Sequence, residues 1–410
     1  MTSTLTGTLR LPTRIHFGYG ARAQLPELVG LHGTRVLAVV DPFLTQTDIF
    51  RETLGALQAA GSEVLVYSEI LPELPVASLD AAGVVAREFG PDVILAIGGG
   101  SALDAAKLVG LLAAHGGPLS QYDGENAVPG PLVPTAAVPT TSGTGSGVTP
   151  VAVISDPERA LKVGISSPYL IPVAAVVDPE FTLGAPASVT AFSGIDALVH
   201  AGESYTSSKL PTIWTGTLPV FTGQNAFADV LALQAAEKLG RWLAVAVAEP
   251  ANREAREQVA LGSLLAGMSF GPTGTHLSHA LQYPIGASTK TPHGLGTGLM
   301  LPYVLDGVRS DPDVAERIAR VGVALGSTAT TTDGRVSDAI AAIVRLNAAI
   351  GVPASLAEIG ITAEELPRIA ELGLASTRLV AIAPIPATSE LLLGILTHAH
   401  SGHLTTGSAS

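Results

Sequence analysis

VILAIGGGSALDAAKLVGLLAAH, residues 93–115, decides the fold. Five apolar residues run straight into three glycines and a serine, and a helical pattern follows at once. A strand that ends this way presents backbone N–H groups at a helix start, where an anion binds and where glycine lets a phosphate approach. Ser101, with Asp104 three residues on, resembles a capping box with Asp in the Glu position. A tight turn would read the same way, so the loop does not decide function alone.

The same arrangement recurs. A short strand at 136–139 leads into PTTSGTGSG (139–147), which offers hydroxyls and N–H groups. RVLAVVD (35–41) and SEVLVY (62–67) read as two further strands, each followed by a helical stretch. Strands alternating with helices imply βαβ units and a mostly parallel sheet. Two loops of this kind in one domain favour a phosphate-bearing cofactor. The G-x-G-x-x-G fingerprint with a later acid is absent. Asp41, at a strand end before the glycines, fits either a ribose-binding acid that disfavours a 2′-phosphate or a turn-starting Asp before Pro42.

The pattern changes near Asp178-Pro179. From about Ser188 the periodicity is long and helical, as in VLALQAAEKLGRWLAVAV (230–247). The expected division is an α/β dinucleotide-binding domain over 1–185 and an all-helical metal-binding domain over 186–410. KLPTIWTGTLPVFTGQ (209–224) interrupts the helices with prolines, glycines and two aromatics. Such a loop is either a surface excursion or the lining of a pocket or subunit contact. The last ten residues read as a frayed tail, and His398, His400 and His403 as solvated.

A chain of 410 residues has room for two domains at roughly 100–200 residues each. Apolar residues make up 47% and charged ones 14%, which excludes disorder. A net charge of −13 without a basic cluster argues against nucleic acid and anionic membrane. No apolar run approaches the roughly 20 residues of a membrane helix, and the N-terminus lacks a secretory h-region. A cytoplasmic protein is expected. With no cysteine, any metal must be held by His and carboxylate.

Asp196 and His200 are four apart in SGIDALVHAGES (193–204), a spacing that stacks them on one helix face. By itself the pair could equally be an ordinary helix contact. His279 and His293 follow in THLSHALQYPIGASTKTPHGLG (275–296), with His276 as a competing candidate or a supporting group. Imidazole and carboxylate together suit Fe²⁺ or Zn²⁺.

These residues carry a resemblance. GGGSALDAAK (98–107), PTTSGTGSGVTP (139–150), DPEFT (178–182), GIDALVHAGESYTS (194–207) and the PHG at 292–294 are similar to motifs of the iron-containing (group III) alcohol dehydrogenases, over nearly the whole chain. The resemblance implies a dehydroquinate synthase-like architecture: an N-terminal α/β dinucleotide-binding domain with a mostly parallel sheet, then an all-α domain. It implies metal ligands at Asp196, His200, His279 and His293. Asp41 matches the acid at the adenosine ribose, and Gly99, Gly100 and Ser101 the pyrophosphate loop, with Asp104 counted in the same cofactor site. Thr140, Thr141 and Thr144 match the second cofactor loop, and Lys162 a lysine near the nicotinamide ribose. NAD is expected ahead of NADP, Fe²⁺ ahead of Zn²⁺, an alcohol or aldehyde as substrate, and a homodimer as the assembly.

Two departures stand out. Family members often carry Glu at the position of Gly147, and a second active-site His at the position of Tyr283. Proton transfer would then fall to His276 or Tyr283, or to water and ribose hydroxyls with no side-chain base. HLSHALQYPIG (276–286), GISSPYLIP (164–172) and the insertion are similar to hydroxyacid–oxoacid transhydrogenases, which act on 4-hydroxybutyrate-type substrates. A homologue with impaired catalysis is the other alternative those two departures leave open.

Overall fold

The computed structural model describes residues 5–71, 74–155, 162–211 and 214–405, the side chains of Ser155 and Lys162 excepted. Contacts divide the chain into two compact units. One comprises Arg10–Ala185 with Thr217–Val220; the other comprises Met1–Leu9, Pro186–Gly216 and Phe221–Ser410.

The first unit runs β1 (Arg14–Phe17), α1 (Leu25–Gly30), β2 (Arg35–Val40), α2 (Asp48–Ala59), β3 (Glu63–Tyr67), α3 (Val76–Phe89), β4 (Val93–Gly98) and α4 (Gly100–His115). It continues with β5 (Gly124–Glu125), β6 (Thr135–Pro139), β7 (Val151–Ser155), β8 (Lys162–Ser166) and β9 (Ala174–Val177). Among the described residues, six strands form one sheet in the order β1-β9-β6-β4-β2-β3, and every pairing in it is parallel. A smaller sheet has the order β5-β8-β7, with β7 antiparallel to β8.

The central strands read as unbroken apolar runs because helices cover both faces. Alternate residues separate the two cores. Leu37, Val39, Ile94 and Ala96 pack with Leu79, Leu103 and Leu108 of α3 and α4. Val36, Ala38, Val93 and Leu95 pack with Leu25, Phe50 and Leu57 of α1 and α2. The chain goes from β2 outward to β3, then back across to β4, so the winding reverses between β2 and β4. Ligands of such sheets bind outside the carboxyl ends of the strands at that reversal.

The second unit contains α5 (Ala187–Thr206), α6 (Ala226–Ala248), α7 (Arg253–Thr273), α8 (Leu277–Thr289), α9 (His293–Val308) and α10 (Pro312–Ala324). The remaining helices are α11 (Thr332–Ile350), α12 (Leu366–Leu374), α13 (Thr377–Val380) and α14 (Ser389–Ser401). Helix α5 is the axis of this unit, buried without interruption from Gly194 to Thr206 and packed on α6, α7 and α9. Ile195 and Leu198 are fully buried there, each contributing about 1.5–3 kcal/mol. Helix α9 lies close on α5 because glycine faces it twice. A Cβ on Gly298 would meet Ile195 at 2.6 Å, and one on Gly294 would sit 1.9 Å from the Phe192 carbonyl oxygen.

Two expectations are corrected here. The C-terminal residues are not frayed as far as 405: His398 and His400 lie on α14, Leu404 packs on the core, and Thr405 donates from its N–H and hydroxyl to Asp306. Residues 406–410 lie outside the described residues. Ser101 is not a helix cap either. Gly99 holds that position, and the Asp104 carboxylate turns away to accept from the Ser146 hydroxyl and the Val153 N–H.

The interrupting loop closes on itself. Lys209 bridges Gly223, the Gln224 N–H donates to the Ser208 carbonyl, and buried Phe221 lies under the Arg378 guanidinium. Trp214 is exposed, and Thr212 and Ile213 lie outside the described residues. Among the described residues no helix is long and apolar enough to cross a membrane.

Candidate metal centre

Helix α5 carries Asp196, His200 and Glu203 at positions i, i+4 and i+7, one face of two turns. Helix α8 supplies His279, and α9 begins with His293. The Nε2 atoms of His279 and His293 each lie 3.8 Å from Asp196 Oδ1, and His200 Nε2 lies 3.8 Å from Asp196 Oδ2. Donor atoms of Asp196, His279 and His293 all fall within 4.8 Å of one another. Ligand bonds of about 2.0–2.2 Å place neighbouring donors about 3–4 Å apart, which is the spacing found. The His200 ring stacks between Phe270, at 4.2 Å, and His279, at 4.9 Å.

Each of three cluster residues is gripped from behind. The Glu203 carboxylate is 2.7 Å from His279 Nδ1, the Gln282 amide oxygen is 2.6 Å from His293 Nδ1, and the Thr297 hydroxyl donates to Asp196 Oδ1 at 2.7 Å. Acceptors at the two Nδ1 atoms assign the ring protons there, leaving the Nε2 lone pairs aimed at Asp196. Nε2 of His279 is buried and has no hydrogen-bond partner among the described residues. A lone pair facing a carboxylate oxygen in a dry site is repulsive unless a cation lies between them. The donor set therefore fits a metal ion.

Burial opposes ionisation of Asp196, yet the surrounding His200, His293 and His279 and the Thr297 hydroxyl hold its carboxyl below the usual range. Burial likewise opposes ionisation of Glu203, and is outweighed by His276, His279 and the N–H donors aimed at it, which bring it down to about 2. His276 stays apart from the cluster. Burial lowers its pKa, its Nδ1 accepts from the Leu277 N–H, and its Nε2 is 2.9 Å from the Thr206 hydroxyl. Tyr283 does neighbour the cluster, its ring 6.1 Å from that of His293. Glu203 was missed by sequence reasoning, although the i+7 spacing from Asp196 was there to find it.

In the α/β unit, Asp41, the Gly98–Ser101 loop and the Thr140–Thr144 loop follow β2, β4 and β6 and lie side by side. The Asp41 N–H donates to the Ile97 carbonyl, and the Thr140 N–H donates to the Gly98 carbonyl, at 3.0 and 2.9 Å. A Cβ on Gly99 would touch Thr141, and one on Gly100 would lie 2.6 Å from the Thr144 methyl. Among the described residues no side chain caps α4, which leaves its first N–H groups to an anion. Asp41 caps the short turn Pro42–Gln46 by accepting from the Phe43 N–H. Behind the loops, buried Lys107 donates to the Thr149 and Val151 carbonyls. Lys162 opens β8, and its side chain lies outside what the structure describes. Gly147 is buried in the turn Ser146–Val148.

Comparison with known proteins agrees with this geometry. Residues 12–179 match the model of the iron-containing alcohol dehydrogenase family, and residues 190–400 that of the Fe-containing alcohol dehydrogenase C-terminal domain. The chain is 33% identical to long-chain-alcohol dehydrogenase 1 of Geobacillus thermodenitrificans, over 95% of this chain and 96% of that one. It is 32% identical to the NAD-dependent methanol dehydrogenase of Bacillus methanolicus, over 88% and 91%. A solved 1,3-propanediol oxidoreductase superposes with a TM-score of 0.88 at 32% identity, over 96% of this chain and all of that one.

The chain belongs to the iron-containing alcohol dehydrogenase family. It is an enzyme, an oxidoreductase acting on CH–OH groups. These relatives do not favour the transhydrogenase subgroup or a catalytically impaired homologue.

Proposed function

We propose that the chain interconverts a primary alcohol or hydroxyacid and its carbonyl form, with NAD as hydride carrier and a divalent metal on Asp196, His200, His279 and His293. The observation that carries the proposal is the convergence of ring nitrogens and one carboxylate, with the far ring nitrogens of His279 and His293 tied off by Glu203 and Gln282. Ferrous iron is the proposed ion, and zinc is the alternative that the same donors suit. When bound, such an ion would supply Lewis acidity toward an alcohol oxygen, and NAD would supply a hydride acceptor.

The protein's own residues do the rest. Asp196 brings the negative charge, the imidazoles bring neutral donors, and Phe270 walls off one side of His200. Tyr283 is the side chain we assign to proton transfer, since its ring borders His293. His276 is assigned a supporting place instead, because both its ring nitrogens are engaged. Residues 10–185 are proposed as the NAD-binding unit. Asp41 would meet the ribose and Gly99, Gly100 and Ser101 the pyrophosphate, while Asp104 braces that loop against Ser146. Thr140, Thr141, Thr144 and Lys162 are the further residues that would hold the cofactor. A cytoplasmic homodimer is the proposed setting.

The test is NADH formation from a panel of primary alcohols and hydroxyacids, using metal-stripped protein reloaded with Fe²⁺ or Zn²⁺. Activity should return with one of the ions. His200→Ala should fold yet lose bound metal and activity together; full activity in that variant would sink the assignment. NADP in place of NAD should support slower turnover.

A further inference from the structure

Glu203 is fully buried, one turn beyond His200 on α5, and three N–H groups of one short stretch point at it. Its Oε2 accepts from the His276 N–H at 2.8 Å and from His279 Nδ1 at 2.7 Å; its Oε1 accepts from the Ser278 N–H at 2.5 Å. Two of these bonds hold the start of α8, as any capping carboxylate would. The third is one that capping does not need, because His276 already accepts from the Leu277 N–H at that helix end.

We infer that Glu203 is a positioning residue for the metal centre: it locks His279 in the Nδ1-protonated tautomer, so that the Nε2 lone pair faces Asp196. The inference rests on the metal-site reading above and names what makes that site competent. An imidazole free to choose its tautomer would present a lone pair only part of the time. It would also relieve its repulsion with Asp196 by putting the proton on Nε2, in the ion's place. Glu203 removes that choice. Asp196 and Glu203 together also bring two negative charges to neutral rings, matching a divalent ion in a dry site.

The geometry makes Glu203→Gln a sharp probe. An amide has one oxygen for three donors. If its oxygen faces His276 and His279, its NH₂ confronts the Ser278 N–H. Turned the other way, the NH₂ donates to His279 Nδ1 and drives the proton to Nε2. Ring nitrogens of ¹⁵N-histidine-labelled, metal-free protein are read by NMR, and Zn²⁺ affinity is read by competition with a chelator. The expected result is an Nε2 of His279 that is unprotonated in the parent and gains a proton in Glu203→Gln, with Zn²⁺ binding weakened about 10–100-fold. Glu203→Asp keeps the charge on a shorter arm and should bind Zn²⁺ with intermediate affinity; it also serves if the Gln variant does not fold. An unchanged tautomer and an affinity within about twofold of the parent, in whichever variant folds, overturns the inference. Failure of the parent to bind Zn²⁺ or Fe²⁺ overturns the metal-site reading instead, and the metal-free tautomer still reports on Glu203.

Discussion

The helices around Asp196 and the loops around Gly99 solve different problems with different parts of the chain. On α5, α8 and α9 the work falls to side chains, and three of them are held by a second side chain: His279 by Glu203, His293 by Gln282, Asp196 by Thr297. At the ends of β2, β4 and β6 it falls to backbone N–H groups and to the room that missing side chains leave. A metal needs fixed lone pairs in a dry site, whereas a pyrophosphate needs donors and close approach. The first region should therefore fail by losing atoms, and the second by gaining them.

His279→Ala removes a donor, and activity should fall by about three orders of magnitude, as loss of several kcal/mol of transition-state stabilisation implies. NAD affinity, measured by fluorescence titration, should stay the same; a parallel loss would break the contrast. Gly294→Ala inverts the rule within the first region. Its Cβ would press on the Phe192 carbonyl, backbone that cannot rotate away, so α9 must lift from α5 and carry His293 with it. About 3 kcal/mol of stability should go, together with metal binding, read by thermal melting and metal analysis.

Gly100→Ala sets a Cβ against the Thr144 methyl, which can give way in part. KM for NAD should rise about tenfold with Zn²⁺ affinity unchanged, consistent with a small overpacking penalty. Asp41→Ser should narrow the preference for NAD over NADP by a similar or smaller factor, through loss of repulsion toward a 2′-phosphate.

A pH-dependent effect tests buried Lys107 behind the loops. Burial pushes Lys107 down to about 8, against the pull of Asp104. The folded protein then releases this proton before the unfolded chain does. Stability should rise relative to Lys107→Met as pH goes from about 8 toward the ordinary lysine range near 10.4, because the neutral amine keeps donors for both carbonyls. Melting curves of the two proteins across that range provide the check.

Legibility differed between these regions for physical reasons. β2, β4 and β6 were plain because strands covered on both faces are apolar throughout. β1 and β9 were not singled out: each is only four residues long, and β1 carries Arg14 and His16 on a partly exposed edge. The helix pair Asp196 and His200 showed through its spacing, while Glu203 passed unnoticed as one more acid on a helix. Ser101 and Asp104 had the spacing of a cap, but Gly99 already occupies that position and Ser146, 42 residues away, takes the carboxylate.

Local pattern alone determined where β2, β3, β4 and β6 and the long helical stretches fall, that the sheet is mostly parallel, that thiolate chemistry is excluded, and which residue types were available to a metal. Those properties depend on neighbours a few positions apart. Which of the ten histidines converge, which ring nitrogen carries each proton, and which acid stands behind His279 were decided only by tertiary contacts. The physical reason is distance along the chain. Thr297 reaches Asp196 across 101 residues and Glu203 reaches His279 across 76, and no local periodicity records a bond of that span.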